Sequence, residues 1–95
     1  MTCKYKHAKL MATARLTLRD HEDSYGLGEL SPTERDILYA AALLMFGREF
    51  VRTCDVQEHR LVDYVTRPTF FRSLKKLVNS GHLIPSGHGR YKFPE

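Results

Sequence analysis

Between residues 64 and 94 every charged side chain is a cation: Arg67, Arg72, Lys75, Lys76, Arg90 and Lys92, with no Asp or Glu among them. A segment this long without internal counter-charge suits a polyanion such as a phosphate backbone. Thr66, Thr69 and Ser73 stand among the first four cations, and their hydroxyls suit phosphate oxygens or base edges. A solvated basic face is the plainer alternative. The chain offers little other chemistry. Five histidines and two cysteines raise metal binding, but His82 and His88 are six apart and Cys54 and His59 five apart, and neither pair has a compact zinc spacing. There is no Gly-rich phosphate loop, nucleophile elbow or HExxH sequence. Neither catalysis nor a cofactor is therefore expected. Asp20-His21-Glu22-Asp23 resembles a carboxylate site, yet in a Gly-flanked loop it reads as solvated. Cys54 reads as a small buried residue rather than a redox switch.

The basic segment belongs to a chain of 95 residues, 42% hydrophobic and 27% charged, with a net charge of +4. That length and balance describe one small globular domain. The charge is arranged in blocks. Residues 1–19 hold Lys4, Lys6, Lys9, Arg15 and Arg19 and no acid, whereas residues 20–63 hold ten acids against Arg35, Arg48, Arg52 and Arg60. Basic ends thus flank an acidic middle. The longest apolar run, Ala40 to Phe46, is far short of the roughly 20 residues that span a bilayer, so no membrane partner is expected. Met1 to Leu10 lacks the apolar core of a secretory leader. Two cysteines, Cys3 and Cys54, are too few to staple a secreted scaffold, and a reducing cytoplasm is the expected location.

The elements that must position the cations follow from periodicity and punctuation. Lys4 to Arg19 is rich in good helix formers, with Leu10, Met11, Ala14 and Leu18 as a narrow apolar stripe. Asp20 to Leu30, with Gly26 and Gly28, reads as a loop. Ser31-Pro32-Thr33-Glu34 predicts a helix start, with Ser31 as cap and Pro32 where no N–H is needed. The helix is apolar nearly all round from Ile37 to Phe46, which predicts burial, and Gly47 is placed to end it. Phe50-Val51 predicts a very short strand. Asp55 to Glu58 repeats the capping-box logic and predicts a short helix to about Val62. Thr66 should cap the next helix, whose stripe of Phe70, Leu74, Leu77 and Val78 turns Thr69, Arg72, Ser73 and Lys76 to the opposite face. Gly81 ends it. His82–Pro85 and Arg90–Phe93 read as strands joined by the turn Ser86-Gly87-His88-Gly89. Alternation then points Arg90 and Lys92 outward and leaves Tyr91 and Phe93 for the core.

Helix, short strand, short helix, tight turn, long basic helix and β-hairpin occur in the order of a winged helix-turn-helix. From Val65 to Ile84 the chain resembles MarR-like bacterial regulators. Thr66 is the small hydroxyl cap, Thr69 lies in the first turn, Leu74 and Leu77 form the Leu-x-x-Leu pair, and Gly81 to Ile84 form the exit into the wing. The resemblance covers about residues 31–93. It implies a mainly α fold with a small β-hairpin wing, in which residues 31–95 bind DNA and residues 1–30 form a basic helix and loop serving as a dimerisation arm. It implies a sequence-specific transcriptional regulator of double-stranded DNA, with a recognition helix at about 67–80 in the major groove and a wing at about 82–93 on the minor groove or backbone. The DNA-binding set is then Thr66, Arg67, Thr69, Arg72, Ser73, Lys76, His88, Arg90 and Lys92. The partners implied are duplex DNA and a second copy of the chain, paired through Leu10, Met11, Ala14 and Leu18. That helix could instead fold back onto Ile37, Leu44 and Phe46. Two rival functions use the same elements: a winged helix that docks on protein, and an accessory protein of DNA replication or plasmid maintenance.

Overall fold

The structure, a computed structural model, describes residues 2–94, and the side chains of Thr2 and Cys3 lie outside what it describes. The chain divides into two units, Met1–Leu30 and Ser31–Glu95. The first is helix α1, Thr2–Ser24, and the turns after it. Leu10, Met11, Leu16 and Leu18 are all exposed on it. The helix outruns the sequence reading, which ended it at Arg19. Three carboxylates in the last turns oppose the helix dipole, yet the end is set by Gly26. With φ at 77°, Gly26 donates its N–H to the Asp23 carbonyl at 3.3 Å, while Leu27 donates to the Glu22 carbonyl at 2.7 Å. This paired closure satisfies carbonyls that would otherwise be orphaned. The Ser24 hydroxyl also donates back to the Asp20 carbonyl at 3.0 Å.

The second unit contains α2 (Pro32–Leu44), β1 (Val51–Arg52), α3 (Thr53–Gln57), a 3-10 turn (Arg60–Val62), α4 (Arg67–Asn79), β2 (Ile84–Pro85) and β3 (Arg90–Lys92). It is mainly helical, with one small antiparallel sheet in the order β1-β3-β2. Helix α2 begins as its sequence predicts: Ser31 Oγ accepts the Glu34 N–H at 3.2 Å, and Pro32 occupies the first turn. It packs against α4, the 3-10 turn and α3. Ile37, Ala40, Ala41, Phe70 and Leu77 are fully buried there, with Val51, Val56, Val62 and Leu83 closing the core. Ala40 and Ala41 occupy little volume, which lets a neighbouring helix approach closely and the larger Phe70 and Leu77 fill the core.

Several expectations are corrected. Helix α2 ends at Leu44 and is not buried all round: Leu43 is 63% exposed, and Phe46, in the turn beyond the helix, is 91% exposed. Only one side of it meets α4 and α3. The short helix starts at Thr53, two residues before the expected cap, so Asp55 lies inside its first turn and pairs with Arg52 rather than capping. That helix stops at Gln57 and a separate 3-10 turn reaches Val62, where the His59 imidazole Nδ1 accepts the Leu61 N–H at 3.1 Å. Cys54 is exposed, not buried; Val56 takes the inward place on α3. The two hairpin strands are shorter than expected, and the first strand lies one residue further along, at Val51–Arg52 instead of Phe50-Val51. Among the described residues no helix is long and apolar enough to cross a membrane.

Because Phe70 lies at the α2–α4 contact and Phe46 lies in solvent, the same truncation should have opposite consequences. Phe70→Ala is expected to cost about 3–5 kcal/mol and Phe46→Ala less than about 0.5 kcal/mol, read from urea unfolding of each variant.

Candidate nucleic-acid interface

Helix α4 presents the cations. At about 100° per residue, Phe70, Leu74 and Leu77 line one side and are buried. Arg72, Lys75, Lys76 and Asn79 fall on the other and are exposed. Lys75 belongs to this face as well, beyond the four residues the apolar stripe predicts for it, since at about 100° per residue it lies closer to the outward direction than Thr69. Ser73 does not belong: it is 8% exposed and lies about 40° beyond Leu77, on the inward side of the wheel. Thr69 is half-buried. Thr66 occupies the cap position, but its hydroxyl donates to the Thr69 hydroxyl at 2.9 Å and makes no bond to the helix backbone. Arg67, at the start of the helix, lies 5.7 Å from the centre of the Phe71 ring, which in turn packs edge-on against Phe70. Arg72, Lys75 and Lys76 have no ion pair among the described residues. The outward face of α4 is thus a row of free cations on a helix whose inward face is anchored in the core.

Both ends of α4 are held. At the C-terminal end Gly81, with φ at 85°, donates to the Val78 carbonyl at 3.1 Å while His82 donates to the Leu77 carbonyl at 2.9 Å. This is the closure seen at Gly26, and it drops Leu83 into the core, 2% exposed. Before the N-terminal end, the Tyr64 hydroxyl donates to the Asp36 carboxylate of α2. That acceptor, with a smaller contribution from burial, raises the Tyr64 phenol above its ordinary pKa of 10.0 against an opposing bond with Thr33.

The sheet presents the remaining cations. Val51 pairs with Tyr91 and Arg52 with Arg90 across β1 and β3, and Ile84 pairs with Lys92 across β2 and β3. Directly opposed residues share a face and neighbours alternate. Val51 is buried and Tyr91 half-buried, whereas Arg52, Arg90 and Lys92 are exposed. Phe93, like Tyr91, is half-buried, and His88 is exposed in the turn between Gly87 and Gly89. Arg52 belongs to the outward set and was missed because its partner strand lies 38 residues away, beyond any local signal. No group of three or more His, Cys, Asp or Glu able to hold a metal occurs among the described residues. No protein-family model, curated protein or solved structure matches the chain.

The Tyr64–Asp36 bond has a pH signature with a definite sign. Raising the folded-state pKa of a phenol means that the neutral form is favoured on folding, so the stabilisation is complete below pH 10.0 and lost as pH rises through the higher folded value. Melting temperature should therefore fall more steeply above pH 10 in the parent chain than in Tyr64→Phe, and parallel curves would refute the bond's role.

Proposed function

We propose that the chain is a winged helix-turn-helix regulator of transcription, resembling MarR-like proteins, that reads double-stranded DNA with α4. The observation that carries this reading is the exposed row of Arg72, Lys75 and Lys76 on α4, free of ion pairs among the described residues, on a helix rooted in the core by Phe70, Leu74 and Leu77. An α-helix fits the major groove, and an arginine there pairs in bidentate fashion with the O6 and N7 of guanine. In this reading Arg72 meets a base edge and Lys75 and Lys76 meet phosphates. Arg67 stands beside the helix start, where the partial positive charge of the N-terminus adds to its own. The β2–β3 hairpin is the wing, and Arg90, Lys92 and His88 approach the minor groove or its phosphates, where negative potential favours arginine. Thr66 and Thr69, bonded to one another, reach phosphate as one unit. Ser73 has no place in the contact because it is buried.

The rival is a protein-docking helix, favoured by Phe71, 39% exposed beside Arg67. Salt separates the two, because neutralising several phosphates makes affinity fall steeply with ionic strength. Affinities on a selected duplex and on a scrambled one test the assignments. Arg72→Ala should cost about 1–3 kcal/mol on the selected sequence only. Lys76→Ala should weaken both sequences alike and reduce the salt slope by about one. A folded Arg72→Ala that binds both duplexes like the parent chain would remove α4 as the reader.

A single recognition helix covers a small footprint, and two copies reading half-sites one DNA turn apart enlarge it. The exposed Leu10, Met11 and Leu18 of α1, with Ala14 between them, form the surface through which two copies pair, closed two-fold pairing being the commonest assembly. Sedimentation of the full chain should give a dimer, and Leu10→Glu with Leu18→Glu should give a monomer with unchanged helix content. A dimer that survives both substitutions excludes this surface.

A further inference from the structure

The pairing of Arg52 with Arg90 is the least expected feature of the sheet. Like charges directly opposite one another across an antiparallel pair are destabilising, and β1 and β3 are only two and three residues long. Three neighbours hold the arrangement together. Arg52 Nε donates to Asp55 Oδ2 at 3.2 Å, which fixes the guanidinium by its inner edge. The Arg90 guanidinium carbon lies over the Phe50 ring, 4.6 Å from its centre, a cation–π contact that restrains the group and uses none of its N–H donors. The Gly89 carbonyl accepts two bonds from Thr53, from the backbone N–H at 3.0 Å and the hydroxyl at 3.2 Å, so the residue before Arg90 is tied to the residue after Arg52. Two guanidinium groups are thereby held on one exposed face, each restrained by a different partner and each with terminal N–H groups still to be satisfied.

An anion with several acceptor oxygens between the two groups would relieve their repulsion and use those donors, and phosphate does so best because guanidinium forks match it. We infer that Arg52 and Arg90, backed by Phe50, form a joint clamp for one backbone phosphate of duplex DNA. The inference rests on the DNA-binding reading and adds to it two residues outside the recognition helix and hairpin: Arg52, which touches the phosphate, and Phe50, a positioning residue that acts through Arg90. Lys92, on the same face two residues along β3, extends the cationic track. Unlike a contact from α4, the clamp carries no base readout, so it contributes equally on every sequence.

The test uses the full chain and a short duplex of mixed sequence, with affinity followed by fluorescence anisotropy between about 50 and 200 mM salt. Arg52→Gln and Arg90→Gln should each weaken binding several-fold and lower the salt slope by about one. Because both hold a single phosphate, the double variant should lose much less than the product of the two losses. Arg52→Gln with Asp55→Asn should behave like Arg52→Gln alone, which excludes the freed carboxylate as the cause. Phe50→Leu should weaken binding in the same direction as Arg90→Gln, and Phe50→Tyr, which keeps the ring, should restore it; thermal melting checks that each variant is folded. Duplex binding by the parent chain with no change in Arg52→Gln, or with losses that multiply, overturns the clamp and leaves the α4 reading intact. A parent chain that binds no duplex overturns both.

Discussion

Everything that makes α4 a presenting surface depends on its contact with α2. Ala40 and Ala41 of α2 and Phe70 and Leu77 of α4 are fully buried in the core where these two helices pack. A helix is free to rotate about its axis unless its buried side chains interlock with a neighbour, so the rotation of α4 is fixed by these residues. That rotation decides which cations face outward. A turn of about 100°, the step from one residue to the next, would bring Ser73 or Phe71 to the outward position and tilt Arg72 toward the core. The surface chemistry of the chain is therefore a consequence of apolar packing one helix radius away. The Tyr64–Asp36 bond and the Gly81 closure then hold the two ends of α4, so the register is restrained along the whole helix.

What could be read from the sequence was what is encoded locally. Ser31, Pro32 and Glu34 carry their cap in four consecutive positions, and the stripe of Phe70, Leu74 and Leu77 repeats over two turns, so both helices were legible. Gly81 was legible as a terminator because an apolar stripe led up to it. Gly26 forms the same hydrogen-bonded closure, but acids rather than apolar residues precede it, so the local pattern reads as a loop; the backbone freedom of glycine outweighs the unfavourable charge. Asp55 had the right type for a cap and the wrong context: once β1 placed Arg52 beside it, an ion pair was available and the helix began earlier. Cys54 reads as buried from its residue type and its place after the short strand, whereas the phase of α3 gives the inward place to Val56.

The candidate surface divides along the same line. Arg72, Lys76, Arg90 and Lys92 were found from the absence of acids and from periodicity. Ser73 has the chemistry of a phosphate contact, a hydroxyl beside an arginine, but its helical angle turns it inward. Arg52 could not have been found, since its position opposite Arg90 depends on a pairing between strands far apart in sequence, with no local residue pattern to announce it. Phe50 was invisible for the same reason: its ring acquires meaning only when the hairpin brings a guanidinium over it.

Placing unpaired cations side by side has a thermodynamic cost, and where the chain bears it is informative. The acids are concentrated in residues 20–63, yet among the described residues Asp55 pairs with Arg52 of β1 and none pairs with the outward cations of α4 or β3. A fold selected for stability alone would interleave the signs, as exposed helices commonly do through pairs three or four residues apart. On α4 the positions that would carry such acids hold Pro68, Ser73 and Asn79 instead. Arg52 and Arg90 carry the argument further, since two strands too short to absorb repulsion by themselves are held in register by a carboxylate, an aromatic ring and a doubly bonded carbonyl. Three compensating interactions around one unfavourable pair mean that the pair is structurally supported, and the charge it concentrates is available for an anion that the isolated chain does not supply.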